Sequence, residues 1–128
     1  MFQLAHLGQC TPFEIAIASP AQTRLGKFAV LICYENSFDA NWDRLSGRVD
    51  FVLSPYNCEC DPSGHNVRCS QRTGIPSAFA DRTGTVYAGG DNWKPNPGTA
   101  GLVDEKGTLL VCSPPGVEQI VVGELTLK

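Results

Sequence analysis

The stretch GKFAVLICYENSFDANWDRLSG, residues 26–47, decides how this chain folds. Within it residues 28–32, Phe-Ala-Val-Leu-Ile, are continuously apolar, the pattern of a strand covered on both faces and therefore central in its sheet. Cys33, Tyr34, Glu35, Asn36 and Ser37 follow at once. Phe38, Trp42 and Leu45 then recur at helical spacing up to Gly47, which can stop a helix. The sequence thus predicts a strand that delivers Cys33 to the start of a helix. A cysteine so placed suits covalent catalysis: the unpaired amides and dipole of a helix N-terminus favour its thiolate. The backbone N–H of Tyr34 can then face an oxyanion that forms on a carbon attacked by the sulfur. A buried structural thiol fits the same spacing, so spacing alone leaves both readings of Cys33 open.

Working outward, residues 13–18 alternate apolar and smaller or polar side chains as a half-buried strand does, and residues 19–26 read as a turn. After Gly47 a second apolar run, residues 49–53, is interrupted only by Asp50 and leads into a loop over residues 54–64 rich in Cys, Pro, Gly and Asn. A short polar helix is expected over residues 65–72, stopped by Gly74. Beyond Pro76 the chain turns β-rich, with strands expected over 77–80, 86–88, 100–103, 108–112 and 119–127, separated by Gly, Pro, Asn and Asp turns. A buried strand, helices and then a series of strands predict one α/β layered domain over residues 1–128, with an all-β sandwich as the weaker option.

Composition narrows the function. The 128 residues suit one domain, and 42% hydrophobic against 18% charged residues is ordinary for a packed interior. The net charge of −3 and the scattered basic residues give no nucleic-acid surface. No apolar run has the roughly 18–20 residues of a membrane span, and the N-terminal residues lack the pattern of a secretory signal. The six cysteines are irregularly spaced and several lie in apolar surroundings, which favours free thiols and a reducing, cytoplasmic setting.

The wider string carries a resemblance. Residues 26–47 resemble the nucleophile segment of the nitrilase superfamily of carbon-nitrogen hydrolases, where a Gly-led apolar strand ends in Cys-Tyr-Glu or a close variant, with Phe38, Arg44 and Gly47 at further family positions. GIPSAFADRTG, residues 74–84, resembles the family's strand ending in Asn-Arg-Thr-Gly. GTAGLVDEKGTLL, residues 98–110, resembles its strand-turn-strand with Asp and Gly at a tight turn. The resemblance covers roughly residues 8–127 and implies a partial α-β-β-α sandwich, the C-terminal half of the family fold, with Cys33 as nucleophile. It implies hydrolysis of a carbon-nitrogen bond through a cysteine thioester or thioimidate, without a cofactor. A general-base glutamate, an oxyanion-stabilising lysine and a supporting glutamate complete the family's site. Glu35 resembles the acidic position of amidase-like members, which favours amide or carbamoyl substrates over nitriles. Tyr56 and Trp93, expected in loops after strands, are candidates to line the substrate pocket.

The same resemblance exposes a deficit. The family's base and lysine lie upstream of the nucleophile, and the 32 residues before Cys33 match neither. HLGQCTPFEI, residues 6–15, looks like the stretch just before the nucleophile strand, so that Gly8 already follows the lysine. A rival alignment puts Leu4 at the lysine position. Lys27 reads as an exposed flanking residue and Glu14 as a solvent-facing strand position. Asp81 stands where the family has Asn, and the Arg of the preceding helix falls one position off, at Arg68. An Asp81 carboxylate beside Cys33 would weaken the nucleophile; the simpler reading is a turn cap near Gly84. Proton transfer and oxyanion stabilisation are each worth on the order of 10²-fold in rate, so the chain by itself is expected to be nearly inactive.

Two other classes compete. Cys58, Cys60, His65 and Cys69 give C-x-C-x₄-H-x₃-C, a set of zinc-ligand residue types, although C-x-C is tighter than usual zinc spacing. An interaction domain is the other: half of a layered fold exposes apolar sheet surface, which predicts a homo-oligomer or pairing with a complementing N-terminal segment.

Overall fold

The computed structural model describes residues 20–87 and 93–127. The strand expected over residues 13–18, together with Glu14, lies outside them. Among the described residues the main sheet has six strands. In chain order these are β1 (Ala21–Thr23), β2 (Gly26–Val30), β3 (Phe51–Tyr56), β4 (Ser77–Asp81), β7 (Ala100–Val103) and β8 (Leu109–Cys112), and their order in the sheet is the same. β2, β3 and β4 are parallel; β1, β7 and β8 join antiparallel. Two helices, α1 (Asp39–Leu45) and α2 (Ser63–Thr73), supply the crossovers between the parallel strands, and β5 (Thr83–Tyr87) pairs with β6 (Trp93–Pro97) in a separate hairpin. The α/β layered expectation holds, as one helix layer on one sheet layer.

Period-two alternation sorts the strand residues onto two faces. Ala29, Leu31, Val52, Ser54, Ser77, Phe79 and Val103 are buried on one face. There Ala29, Leu31 and Val52 join Trp42 and Leu45 of α1, Cys69 of α2, and Val49 and Ile75 in one core. The intervening residues Val30, Leu53 and Ala78 stand in register on the opposite face. With Pro55 and Ala80 they line a shallow apolar depression there. At one end of this face Phe28 and Phe51 stack with ring centroids 5.4 Å apart.

Several expectations need correction. Residues 19–26 are not simply a turn: β1 forms there and pairs with β2, with Thr23 Oγ1 accepting the Leu25 N–H and donating to Gly26 O across the bend. β2 is second from the described edge of the sheet, and β3 and β4 occupy the middle. The continuous apolar run reflects core on one face and the apolar depression on the other. β3 runs on through Tyr56, into what reads as a loop, because Ser54, Pro55 and Tyr56 keep pairing with Phe79, Ala80 and Asp81. Residues 119–127 form no strand: no neighbouring ladder takes them up, and Ile120 and Val122 stay exposed. That tail instead lies over β7 and β8, where a Cβ on Gly123 would come within 2.9 Å of Leu102 and Val111 side chains. β6 is hidden in the sequence by Pro95 and Pro97, which a two-stranded ribbon tolerates.

Local chemistry fixes the turns. Asp104 Oδ1 accepts the N–H groups of Lys106 and Thr108, which holds its carboxyl below the usual range, and Gly107 closes the β7–β8 turn at φ 80°. A side chain at Gly107 would strike Gln71 and the Val67 carbonyl, so this turn is seated on α2. Arg72 near the end of α2 pairs with Asp39 and Asp43 of α1 and ties the two helices together at the surface.

Asp61 begins α2. Burial opposes its ionisation, but the Ser63 N–H and the Thr99 hydroxyl, both donating to Oδ1, outweigh it and hold the carboxyl below its ordinary value. A depressed folded-state value stabilises the fold above the unfolded-state value and loses that contribution as pH falls through the folded one. Asp61→Asn therefore costs about 0.5–1 kcal/mol at pH 7, and the difference from the unmodified chain shrinks below about pH 4. Urea titrations at several pH values read this directly. In the core, Leu45→Ala costs about 2–4 kcal/mol by the same measurement.

Candidate active site

Cys33 stands at the exit of the β2 segment, where Leu31 N–H still reaches Leu53 O of β3 at 2.9 Å. Past Ile32 the chain makes a five-residue 3-10 turn, Cys33–Ser37, before α1 begins. The expected helix start is thus corrected. Cys33 opens a short turn, and Phe38, in extended conformation, separates that turn from α1. Within that turn the Asn36 side chain accepts the hydroxyl of Ser54 on the neighbouring strand. Cys33 adopts φ 46° and is the one non-glycine residue with positive φ among the described residues. For an L-residue this costs roughly 1 kcal/mol or more, so the surroundings must hold it.

They do so chiefly through Asn36, whose side chain is completely buried. Its Nδ2 donates to Leu31 O at 2.5 Å and to Cys33 O at 3.4 Å, and its Oδ1 accepts the Ser54 hydroxyl at 2.9 Å. One side chain thus joins the strand end, the cysteine and the adjacent strand. Glu35 closes the turn from the other side: its Oε2 accepts the Ile32 N–H at 2.8 Å, and its backbone N–H donates to Ile32 O at 3.0 Å. Asn41 of α1 donates to Glu35 O at 2.7 Å.

The Cys33 thiol is half-buried and lies 3.7 Å from the carbonyl oxygen of Asn57, just past β3. Tyr34, next to it, is 71% exposed and meets Phe38 edge-to-face with centroids 5.0 Å apart. Its N–H sits at the second position of the 3-10 turn, where an amide has no acceptor within the turn itself. Tyr56 is the last residue of β3 rather than a loop residue, and its hydroxyl accepts from Asn66 Nδ2 at 3.0 Å. Burial, aided by the nearby Cys69, Cys58 and Cys33 thiols, pushes that hydroxyl well above the usual phenol range. It is therefore a neutral group beside the thiol cluster. Trp93 opens β6 opposite Tyr87. Lys27 is exposed and lies within β2 rather than flanking it, its backbone N–H bonded to Asp50 Oδ2 at 2.6 Å.

Asp81 closes β4 opposite Tyr56. Its Oδ1 accepts the N–H groups of Cys58 and Arg82, at 3.2 and 2.8 Å, and its Oδ2 lies 3.7 Å from Cys58 Sγ. The carboxylate thus caps its own turn and bears on Cys58. Burial first, with the Cys60 thiol and the Asp81 carboxylate adding to it, pushes the Cys58 thiol up to about 12. The C-x-C-x₄-H-x₃-C set does not converge. Cys58 Sγ turns to Cys60 O, and Cys69 Sγ meets His65 Nε2 at 3.3 Å. Among the described residues no three His, Cys, Asp or Glu side chains could hold a metal ion. The residues that sequence reading missed are Asn36, Ser54 and Asn57; an Asn two positions past the Cys-Tyr pair is the one signal in the sequence that could have pointed to them.

The strain at Cys33 reverses the usual ranking of Gly and Ala. Cys33→Gly unfolds at higher urea than Cys33→Ala, by about 1 kcal/mol, whereas Gly ordinarily ranks below Ala. Asn36→Ala leaves the Ser54 hydroxyl and two carbonyls without their partner and costs about 2–3 kcal/mol by the same titration.

No family model matches the sequence, and no curated protein matches it. Solved structures do match its fold. A carbon-nitrogen hydrolase from Helicobacter pylori G27 superposes at a TM-score of 0.68 with 13% identity, over 77% of this chain and 40% of that one. A glutamine-dependent NAD+ synthetase from Acinetobacter baumannii, in complex with ADP, does so at 0.66 with 19% identity, over 92% and 21%. An amidase of the nitrilase superfamily from Nesterenkonia AN1, as its C145A mutant, gives 0.58 with 21% identity, over 70% and 34%. The chain spans two fifths or less of the length of each of these proteins. At such identities the likeness is one of architecture, and the described chain has an α/β fold similar to part of a carbon-nitrogen hydrolase and of an amidase of the nitrilase superfamily.

Proposed function

We propose that this chain carries the nucleophile of a carbon-nitrogen hydrolase, with Cys33 attacking an amide or carbamoyl carbon and forming a thioester. The observation that carries the reading is the strained, buttressed turn at Cys33, at the exit of a parallel strand in a nitrilase-like sheet. In the proposed cycle the sulfur adds to the carbonyl carbon and the oxygen takes up negative charge facing the Tyr34 N–H. Collapse of this intermediate expels the amine and leaves an acyl group on Cys33, which water then removes. Both halves need proton transfer. Among the described residues the hydrogen-bond partner of the Cys33 thiol is a backbone carbonyl, so the general base and the oxyanion cation come from outside this set. Glu35 acts by holding the turn, while Tyr56 and Trp93 contribute to the substrate pocket.

The apolar sheet face supports the partner expected here. Val30, Leu53 and Ala78 are aligned on the side of the sheet away from α1 and α2, and a second layer packed on them completes a sandwich. That layer comes from a complementing N-terminal segment, which also brings the base and lysine, or from another copy of the chain in a homo-oligomer. No described helix is long and apolar enough to cross a membrane. The free Cys33, Cys58, Cys60, Cys69 and Cys112 agree with a reducing, cytoplasmic setting, and the chemistry calls for no cofactor.

The test is acid-quenched mass spectrometry of the protein as its source cell makes it, after mixing with primary amides, N-carbamoyl compounds and nitriles. An acyl adduct on the Cys33 peptide, with ammonia release abolished by Cys33→Ala, is expected from the first two classes before the third. Absence of any adduct, with release indifferent to that substitution, leaves the chain an interaction domain. Leu53→Asp then reports on the sheet face: it lowers the sedimentation mass if that face is an interface between copies.

A further inference from the structure

His65 belongs to the zinc-like pattern in the sequence, yet no metal set forms around it among the described residues. It sits instead in the first turns of α2 and reaches across to the cysteine turn. Its Nε2 lies 2.7 Å from Asn36 O, and its Nδ1 lies 3.0 Å from Arg68 Nη2. A guanidinium has donors only, so Nδ1 must be the bare, accepting nitrogen. The ring proton is therefore on Nε2, and Nε2–H donates to the Asn36 carbonyl, which can only accept. Cys69 Sγ, 3.3 Å from the same nitrogen and one helical turn along α2, packs against this contact. Two independent partners thus require the same tautomer.

We propose that His65 is a positioning residue for the Cys33 nucleophile, acting from α2 through the Nε2–H bond to Asn36 O, with Arg68 fixing the ring tautomer. The inference rests on the reading of Cys33 as the nucleophile, while the contacts themselves do not. Asn36 is the residue whose side chain spans Leu31 O, Cys33 O and Ser54. Its side chain can bridge these groups only while its backbone is held, and the described hydrogen bond to its carbonyl oxygen comes from His65. α2 thereby acts as a rail for the turn, and the positive φ of Cys33 is maintained from two directions, β3 and α2.

The experiment is hydrogen exchange by mass spectrometry on the full chain, comparing His65→Ala, His65→Gln and Arg68→Ala, together with 15N spectra of the imidazole. Gln can place an amide N–H where Nε2–H stands. Expected are an Nε2–H tautomer and exchange over residues 31–37 about tenfold faster in His65→Ala, a loss of roughly 1.4 kcal/mol. His65→Gln restores slow exchange there, Arg68→Ala gives a smaller acceleration confined to the same residues, and β4 and β7 keep their protection in both. On any amide that acylates Cys33, His65→Ala lowers kcat at unchanged KM and His65→Gln recovers it. If His65→Ala loses protection throughout the chain, Arg68→Ala decides, with acceleration confined to residues 31–37 in support and none against. An Nδ1–H tautomer, or unchanged exchange over residues 31–37 in His65→Ala, overturns the proposal. Faster exchange with no acyl adduct on Cys33 leaves the positioning contact standing and removes the hydrolase reading alone.

Discussion

The buried side chain of Asn36 is the constraint on which the rest of the site depends. A primary amide has two donors and a doubly accepting oxygen, and in a dry interior each unmade bond is costly. Here the end of β2, the carbonyl of Cys33 and the hydroxyl of Ser54 meet those needs together. In the turn that satisfies all three, Cys33 takes a left-handed backbone conformation. The strain is local and modest; the network that would have to break to relieve it is buried and larger.

The same economy explains the position of the thiol. The parallel ladder of β2 on β3 brings the Cys33 sulfur to the Asn57 carbonyl, just beyond β3, and the exit of a parallel strand is where open α/β sheets place their reactive groups. Cys58, Cys69 and Cys112 follow different physics. Burial raises the thiols of Cys69 and Cys112, and Cys58 is raised by burial and by its neighbours Cys60 and Asp81. Such thiols stay protonated and unreactive near neutral pH.

The sheet is covered on one face only by α1 and α2, and its other face is apolar at every central strand. The continuous apolar run of residues 28–32 matches this arrangement, with core on one face and the apolar depression on the other. The C-terminal tail takes up a share of that face over Leu102 and Val111, while Val30, Leu53 and Ala78 line the apolar depression.

What the sequence by itself determined is the order of elements around Cys33, the helix stops at Gly47 and Gly74 and the Asp104–Gly107 turn, because each rests on local preference: apolar periodicity, or a residue that tolerates positive φ. The β7 boundaries were legible for the same reason, as four residues between turn signals. Tertiary structure decided what depends on neighbours. It decided that β3 runs to Tyr56, that residues 119–127 find no ladder, that Pro95 and Pro97 sit in a ribbon, and that Cys33 opens a 3-10 turn instead of a long helix. The last of these turns on Ser54 and His65, which lie 18 and 29 residues from Asn36 and are brought to it only when β2, β3 and α2 pack. A hydrogen bond between residues so far apart in the chain leaves no periodic trace in the sequence, whereas the strand and turn that it fixes do.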